Sequence, residues 1–142
     1  MQTRPMRSWM FVPGNKERFL MKAAEAEVDC VFLDLEDGVL PASKDEARKM
    51  VAKALLNPFR PQRYVRLNTA STSWINDDLA AIIPSAPDGV CLSKCDSPDD
   101  VLGLAATLDT LERESGLEVG STKIVAAIES PGAIFRAEAI AR

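Results

Sequence analysis

Apolar residues fall into short runs and helical stripes that alternate along the chain. Residues 8–12 form a brief apolar run closed by Pro13-Gly14, which predicts a strand and a turn. Asn15 is placed to cap a helix running to about residue 27, with Phe19, Leu20, Ala23, Ala24 and Ala26 as its stripe. A second strand is predicted over 30–35. Ser43-Lys44-Asp45-Glu46 has the capping-box pattern and opens a helix to about residue 56, with Pro58 and Pro61 marking its exit. A third strand covers 64–67, and a short amphipathic helix covers 74–83, closed by Pro84. A fourth strand covers 89–92. Ser97-Pro98-Asp99-Asp100 then starts a helix that ends near Ser115-Gly116. It combines a capping hydroxyl, Pro at the first helical position and acids at the positive end of the dipole. A fifth strand over 123–128 and a helix over 133–141 complete the pattern.

Each strand-to-strand interval is long enough for a crossover helix, so the pattern predicts a parallel α/β sheet of five βα units. The strands show little alternation, as expected when both faces are covered. Two closures satisfy this pattern: an open doubly wound sheet, or part of a (β/α)₈ barrel, which in full needs eight units and about 250 residues. The chain has 142 residues, 46% hydrophobic and 27% charged, enough for one domain with a core. No apolar run approaches the ~18–20 residues that span a bilayer, and residues 1–7 are not followed by a signal-peptide core. A cytoplasmic protein is expected.

Charge changes the picture locally. The net formal charge is −4, yet residues 1–22 carry +4 and the remainder −8. An acidic chain is a poor general binder of nucleic acid or anionic membrane, while its basic start suggests a local anion site. Histidine is absent. That excludes Ser-His-Asp and Cys-His mechanisms and all His-based metal sites. Cys30, Cys91 and Cys95 make an odd count with no zinc-type spacing partner, and Cys30 and Cys91 sit in apolar runs as expected of reduced core residues.

Every predicted strand ends in polar or special residues: Pro13-Gly14-Asn15, Asp34-Leu35-Glu36-Asp37-Gly38, Arg66-Leu67-Asn68, Ser93-Lys94-Cys95-Asp96 and Glu129-Ser130. In a parallel α/β fold these ends share one rim, where binding and catalytic groups collect. Polar loops explain Ser130, Asp96 and Asp37. They explain Asp34, Arg66 and Glu129 poorly, because each adjoins apolar strand residues where an unpaired charge is costly. Arg66 offers a planar fork for a carboxylate. Glu129 offers a hard oxygen ligand, and without His or a cysteine cluster the natural metal is Mg²⁺. Asp34 and Glu36 are candidate bases by location, or else they orient Arg66 or Lys94. Lys94 is a candidate Schiff-base lysine if burial lowers its pKa.

The segments Arg7-Ser8-Trp9-Met10-Phe11-Val12-Pro13-Gly14-Asn15, Leu33-Asp34-Leu35-Glu36-Asp37-Gly38-Val39 with Lys44 and Ala47-Arg48, Val65-Arg66-Leu67-Asn68, Leu92-Ser93-Lys94 and Ala127-Ile128-Glu129-Ser130 occur in one order along nearly the whole chain. In this the sequence resembles the citrate lyase β-subunit-like proteins of the HpcH/HpaI aldolase group. The resemblance implies a TIM (β/α)₈-barrel type fold of which residues 1–142 supply the first five βα units. It implies Mg²⁺-dependent cleavage of a carbon–carbon bond in a 3-hydroxyacyl-CoA thioester of the citryl-CoA or malyl-CoA type, giving acetyl-CoA and a 2-oxo acid. It places the substrate-binding Arg on Arg66, the metal-binding Glu on Glu129, and the approach of CoA near Arg7 and Lys16. Homo-oligomers, trimeric or hexameric in relatives, are also implied. Ser93 stands where the family usually has Pro. The family's second metal carboxylate falls on the strand that would follow Arg142. The chain therefore reads as the N-terminal part of such a barrel. It is expected to associate when isolated, or to serve as a non-catalytic CoA-ester-binding or partner-dependent subunit.

Overall fold

The computed structural model describes residues 5–142, so Arg4 of the basic N-terminal segment lies outside the described residues. Five parallel strands, β1 (Trp9–Pro13), β2 (Cys30–Asp34), β3 (Gln62–Leu67), β4 (Gly89–Leu92) and β5 (Lys123–Ala126), pair in the order β1-β2-β3-β4-β5. The helices α1 (Glu17–Ala24), α2 (Lys44–Leu55), α3 (Trp74–Ile82), α4 (Pro98–Glu114) and α5 (Pro131–Ala141) alternate with them. Consecutive pairing without a reversal removes the doubly wound alternative, whose order turns back at a switch point. Crossovers of one hand and one direction put every helix on the same side of the sheet. Leu20, Val51, Leu79, Ile82, Leu104, Leu108, Ala133 and Ile140 from all five helices share one core with Val12, Val31, Leu33, Val65, Val90 and Leu92. This is the TIM-barrel type of arrangement.

The strands alternate strictly, contrary to the expectation from sequence. Met10, Val12, Val31, Leu33, Val65, Leu67, Val90, Leu92, Ile124 and Ala126 face the helices. Trp9, Cys30, Phe32, Tyr64, Cys91, Val125 and Ala127 pack on the opposite face with no helix residue among them. Both faces read as apolar because the inner one is aromatic: Trp9 stacks on Phe32 at 4.7 Å, Phe11 lies 4.9 Å from Phe32, and Tyr64 meets Trp9 edge-on at 5.3 Å. Gly89 makes room for Tyr64, since a Cβ there would stand 2.3 Å from its ring.

Two predicted caps differ. The helix α1 starts at Glu17 with Lys16 at the cap and no side-chain cap bond, because Gly14 N–H is already tied to the Asp34 carbonyl (2.9 Å) and sets the turn one residue later. Ser43 ends a 3₁₀ turn (Pro41–Ser43) that runs straight into α2, so its backbone is not in the extended geometry a cap needs. The cap predicted at Ser97 forms and is a full capping box, with Asp100 N–H donating to Ser97 Oγ and Ser97 N–H to Asp100 Oδ2, whereas the box expected at Ser43 does not form. No described helix is long and apolar enough to cross a membrane.

Candidate active site

Parity along the strands decides which charges reach the inner face. Asp34 and Arg66 occupy paired positions on β2 and β3, two residues beyond Phe32 and Tyr64 on the same face. The carboxylate of Asp34 accepts Arg66 Nε at 2.8 Å and Nη2 at 2.7 Å, a side-on bidentate pair. The same two oxygens accept the backbone N–H groups of Glu36 and Gly38, each at 2.8 Å. Four accepted bonds use the acceptor capacity of a carboxylate. Asp34 is therefore a clamp for Arg66 and a staple for its own loop, with no lone pair to spare as a general base. Hydrogen bonding from Asp34 raises the Arg66 pKa further above its ordinary value. Below the guanidinium, the Phe11 ring centre lies 4.7 Å from Arg66 Cζ.

Glu36, whose side chain is 4% exposed, lies between two cations: Arg66 Nη1 at 3.1 Å and Lys94 Nζ at 2.9 Å. Neither carboxylate oxygen accepts a hydrogen bond of good geometry, so these contacts are charge pairing first. Lys94 Nζ is also 3.7 Å from Asp37 and its side chain is 52% exposed. Its backbone is left-handed, φ 51°, an uncommon state for a residue with a Cβ. The Glu36 carboxylate, 2.9 Å away, holds the Lys94 pKa above its ordinary value. That corrects the Schiff-base expectation, which required burial to lower it. Lys94 is half in water and stays a cation.

Glu129 follows β5 on the same parity as Val125 and Ala127. Its charge acts on Lys94 and on Cys91, which places it over the inner face. It is exposed, and among the described residues it makes no hydrogen bond or ion pair. The segment carrying it is fixed from below. Asp96 accepts the Ser130 hydroxyl at 2.7 Å and Arg136 Nη2 at 2.6 Å, and Ser130 Oγ caps α5 at Ala133 N–H. Among the described residues no three Asp, Glu, Cys or His side chains group closely enough to enclose a metal ion. A single uncommitted carboxylate fits Mg²⁺, which keeps waters and takes substrate oxygens.

Lys16 lies at the carboxyl end of β1, on the rim of Arg66. Arg7 does not join them. It precedes β1 at the opposite end of the strand, where its N–H bonds Asp29 (2.9 Å) and its side chain stands exposed. The structure thus brings together Asp34, Glu36, Arg66, Lys94 and Glu129, and leaves Arg7 on the far rim.

Four supporting residues were not given roles by the sequence. Lys44, 5% exposed, donates to the carbonyls of Leu35 and Glu36 at 2.6 Å each. Burial lowers its pKa, against the pull of Asp78, Asp34 and Glu36. Asn68 Nδ2 donates to the same Leu35 carbonyl and to Asp78 Oδ2, and Asp78 Oδ1 accepts Arg48 Nε at 2.7 Å. These groups draw the loop carbonyls toward the helices, which turns the side chains of Asp34 and Glu36 inward. The available signal was charge at stripe positions: Lys44 and Arg48 share a helix face with Ala47, Val51 and Leu55.

Residues 7–142 match the family model described as HpcH/HpaI aldolase/citrate lyase. The chain is 39% identical over 142 residues to citrate lyase subunit beta of Escherichia coli (strain K12), covering 99% of this chain and 47% of that protein. It is 39% identical over 106 residues to a (3S)-malyl-CoA thioesterase of Cereibacter sphaeroides, covering 73% of this chain and 37% of the relative. A citrate lyase beta subunit from M. tuberculosis, solved in complex with oxaloacetate and magnesium, superposes with a TM-score of 0.73 at 32% identity, covering 94% of this chain and 52% of that one. The chain spans about half the length of the relatives it matches.

Proposed function

The chain belongs to the HpcH/HpaI aldolase/citrate lyase family, and on that premise we propose that it acts in Mg²⁺-dependent carbon–carbon cleavage of a citryl-CoA or malyl-CoA type thioester. The observation that carries this reading is the Arg66 fork, held side-on by Asp34 and facing the same rim as the unengaged Glu129. Three of the five guanidinium N–H groups face Asp34 and Glu36, which leaves donors on Nη1 and Nη2 for the carboxylate of an oxo acid. Glu129 would hold Mg²⁺, which when bound polarises the hydroxyl or keto oxygen of the substrate. Asp34 keeps Arg66 in one orientation, and Glu36 balances Arg66 and Lys94 so that the site carries little excess charge before ligand arrives. Phe11, Phe32 and Tyr64 form an aromatic floor next to the Arg66 site. Lys16 is the rim cation that would meet the CoA phosphates; Arg7, on the far rim, would do so only from another protomer. A homo-oligomer accords with Ile134 and Phe135 standing exposed on α5. A cytoplasmic setting accords with the free thiols Cys30, Cys91 and Cys95.

A second reading is a CoA-ester-binding subunit that needs a partner for catalysis, which the exposed Ile134 and Phe135 on α5 favour. Thermal unfolding with Mg²⁺ and oxaloacetate separates the possibilities. The lyase reading expects a raised Tm by mass action, lost in Glu129→Gln while the ligand-free Tm stays put. A Tm raised by acetyl-CoA alone favours the subunit reading. No shift with either ligand rejects both.

A further inference from the structure

Cleavage of a 3-hydroxyacyl thioester generates charge at two places. The bond between the hydroxyl-bearing carbon and the thioester α-carbon breaks. The hydroxyl loses its proton as its carbon becomes a ketone. The electron pair passes to the thioester as an enolate, with the negative charge on its oxygen, until the α-carbon takes a proton and an acetyl thioester leaves. Arg66 and the Glu129 side of the site serve the oxo-acid half, so the enolate oxygen needs a donor of its own.

Resting on the proposed lyase reading, we propose that Lys94 is that donor: its ammonium, held at the rim by Glu36, receives the negative charge developing on the thioester oxygen. Three observations support it. Lys94 Nζ is 2.9 Å from Glu36 Oε1, and Arg66 Nη1 is 3.1 Å from Glu36 Oε2, so the two cations flank one buried carboxylate with a fixed separation. The Lys94 side chain is 52% exposed against 16% for Arg66, so it reaches a ligand without first being unburied. Its left-handed backbone is pinned on both sides: Ser93 Oγ donates to the Leu67 carbonyl at 2.9 Å, and Cys95 N–H to the Ala127 carbonyl at 3.1 Å. A strained residue held this firmly at a rim is a common device for aiming a functional side chain. A preorganised donor at a developing oxyanion contributes about 10²–10³ in rate.

The test is deuterium exchange from D₂O into the methyl group of acetyl-CoA, run with Mg²⁺ and pyruvate, because this exchange requires the enolate and no carbon–carbon bond change. Lys94→Gln should lose about 100-fold in exchange rate, with Lys94→Arg between it and the unsubstituted chain. The affinity for Mg²⁺–pyruvate, measured by calorimetry, should stay within about threefold in both variants. Exchange preserved in Lys94→Gln overturns the inference, as does a parallel loss of pyruvate binding, which would mark a merely structural residue. An unsubstituted chain that binds Mg²⁺–pyruvate without exchanging deuterium overturns this inference alone. One that binds neither Mg²⁺–pyruvate nor Mg²⁺–oxaloacetate overturns the lyase reading together with it.

Discussion

Arg66 and Asp34 are partners twice, once as opposed residues in the β2–β3 register and again as a side-on ion pair with bonds of 2.8 and 2.7 Å. Backbone pairing therefore sets the side-chain pairing, and the guanidinium is oriented before any ligand arrives. Arg66→Lys keeps the charge and loses the fork. It should weaken oxo-acid binding about 100-fold while CoA binding, read by the same calorimetry, changes little. Asp34→Ala leaves a nearly buried guanidinium short of its main counter-charge and should cost about 3 kcal/mol in denaturant unfolding.

Gly38 lies where a Cβ would stand 2.3 Å from Asp34 Oδ2, and its N–H is one of the four donors to that carboxylate. Gly38→Ala must push Asp34 off Arg66. The expected outcome is weaker oxo-acid binding in a chain whose circular dichroism is unchanged; full binding would show that Asp34 does not set the Arg66 geometry.

Glu112 is fully buried on α4 and ties down the loop before β5, accepting Gly120 N–H at 2.6 Å, Thr122 N–H at 2.7 Å and Ser121 Oγ at 3.2 Å. Burial pushes its pKa up, but the bonds from Thr122, Gly120 and Ser121 outweigh it, and the net position is below the ordinary value of 4.5. The folded state thus binds fewer protons than the unfolded one as pH falls through that value. Stability from this group is complete above pH 4.5 and declines below it toward the folded pKa. Glu112→Gln should lower stability at pH 7 and flatten the loss on acidification, as followed by urea unfolding between pH 7 and pH 3.

Cys30 and Cys91 lie in the inner core, and burial pushes both thiols up to about 12. Iodoacetamide at pH 8 should leave them unmodified in the native chain and modify both in urea, read by mass. Modification of Cys91 without denaturant would show that the inner face opens in solution.

The βα alternation was legible because strands and helices carry different periods, and the boundaries moved by only a few residues. Barrel-type closure was legible through resemblance alone; the strand order that decides it is a long-range pairing. The caps divided by context. Ser97 is itself extended and forms its box, while Asn15 lies in the turn before α1 and Ser43 ends a 3₁₀ turn, and neither makes a side-chain cap bond. Arg66 and Asp34 were visible as charges inside apolar runs, but their relation was not, since it depends on register between segments some thirty residues apart. Asp78 went unnoticed because, next to the first-turn acid Asp77 of a short helix, it looks like ordinary dipole chemistry, whereas it lies at the helix centre and meets Asn68 and Arg48.

Strict alternation makes each strand a kind of reading frame. In β3, Val65 and Leu67 face the helices while Tyr64 and Arg66 face inward. Removing the residue between Gln62 and Tyr64 would shift that frame by one, turning the guanidinium toward the helix-side core and bringing Leu67 opposite Asp34. Strand length is then a tighter physical constraint than residue identity: apolar exchanges at Val65 or Val90 keep the frame that assembles the site, whereas a single inserted residue shifts it while leaving the composition nearly unchanged.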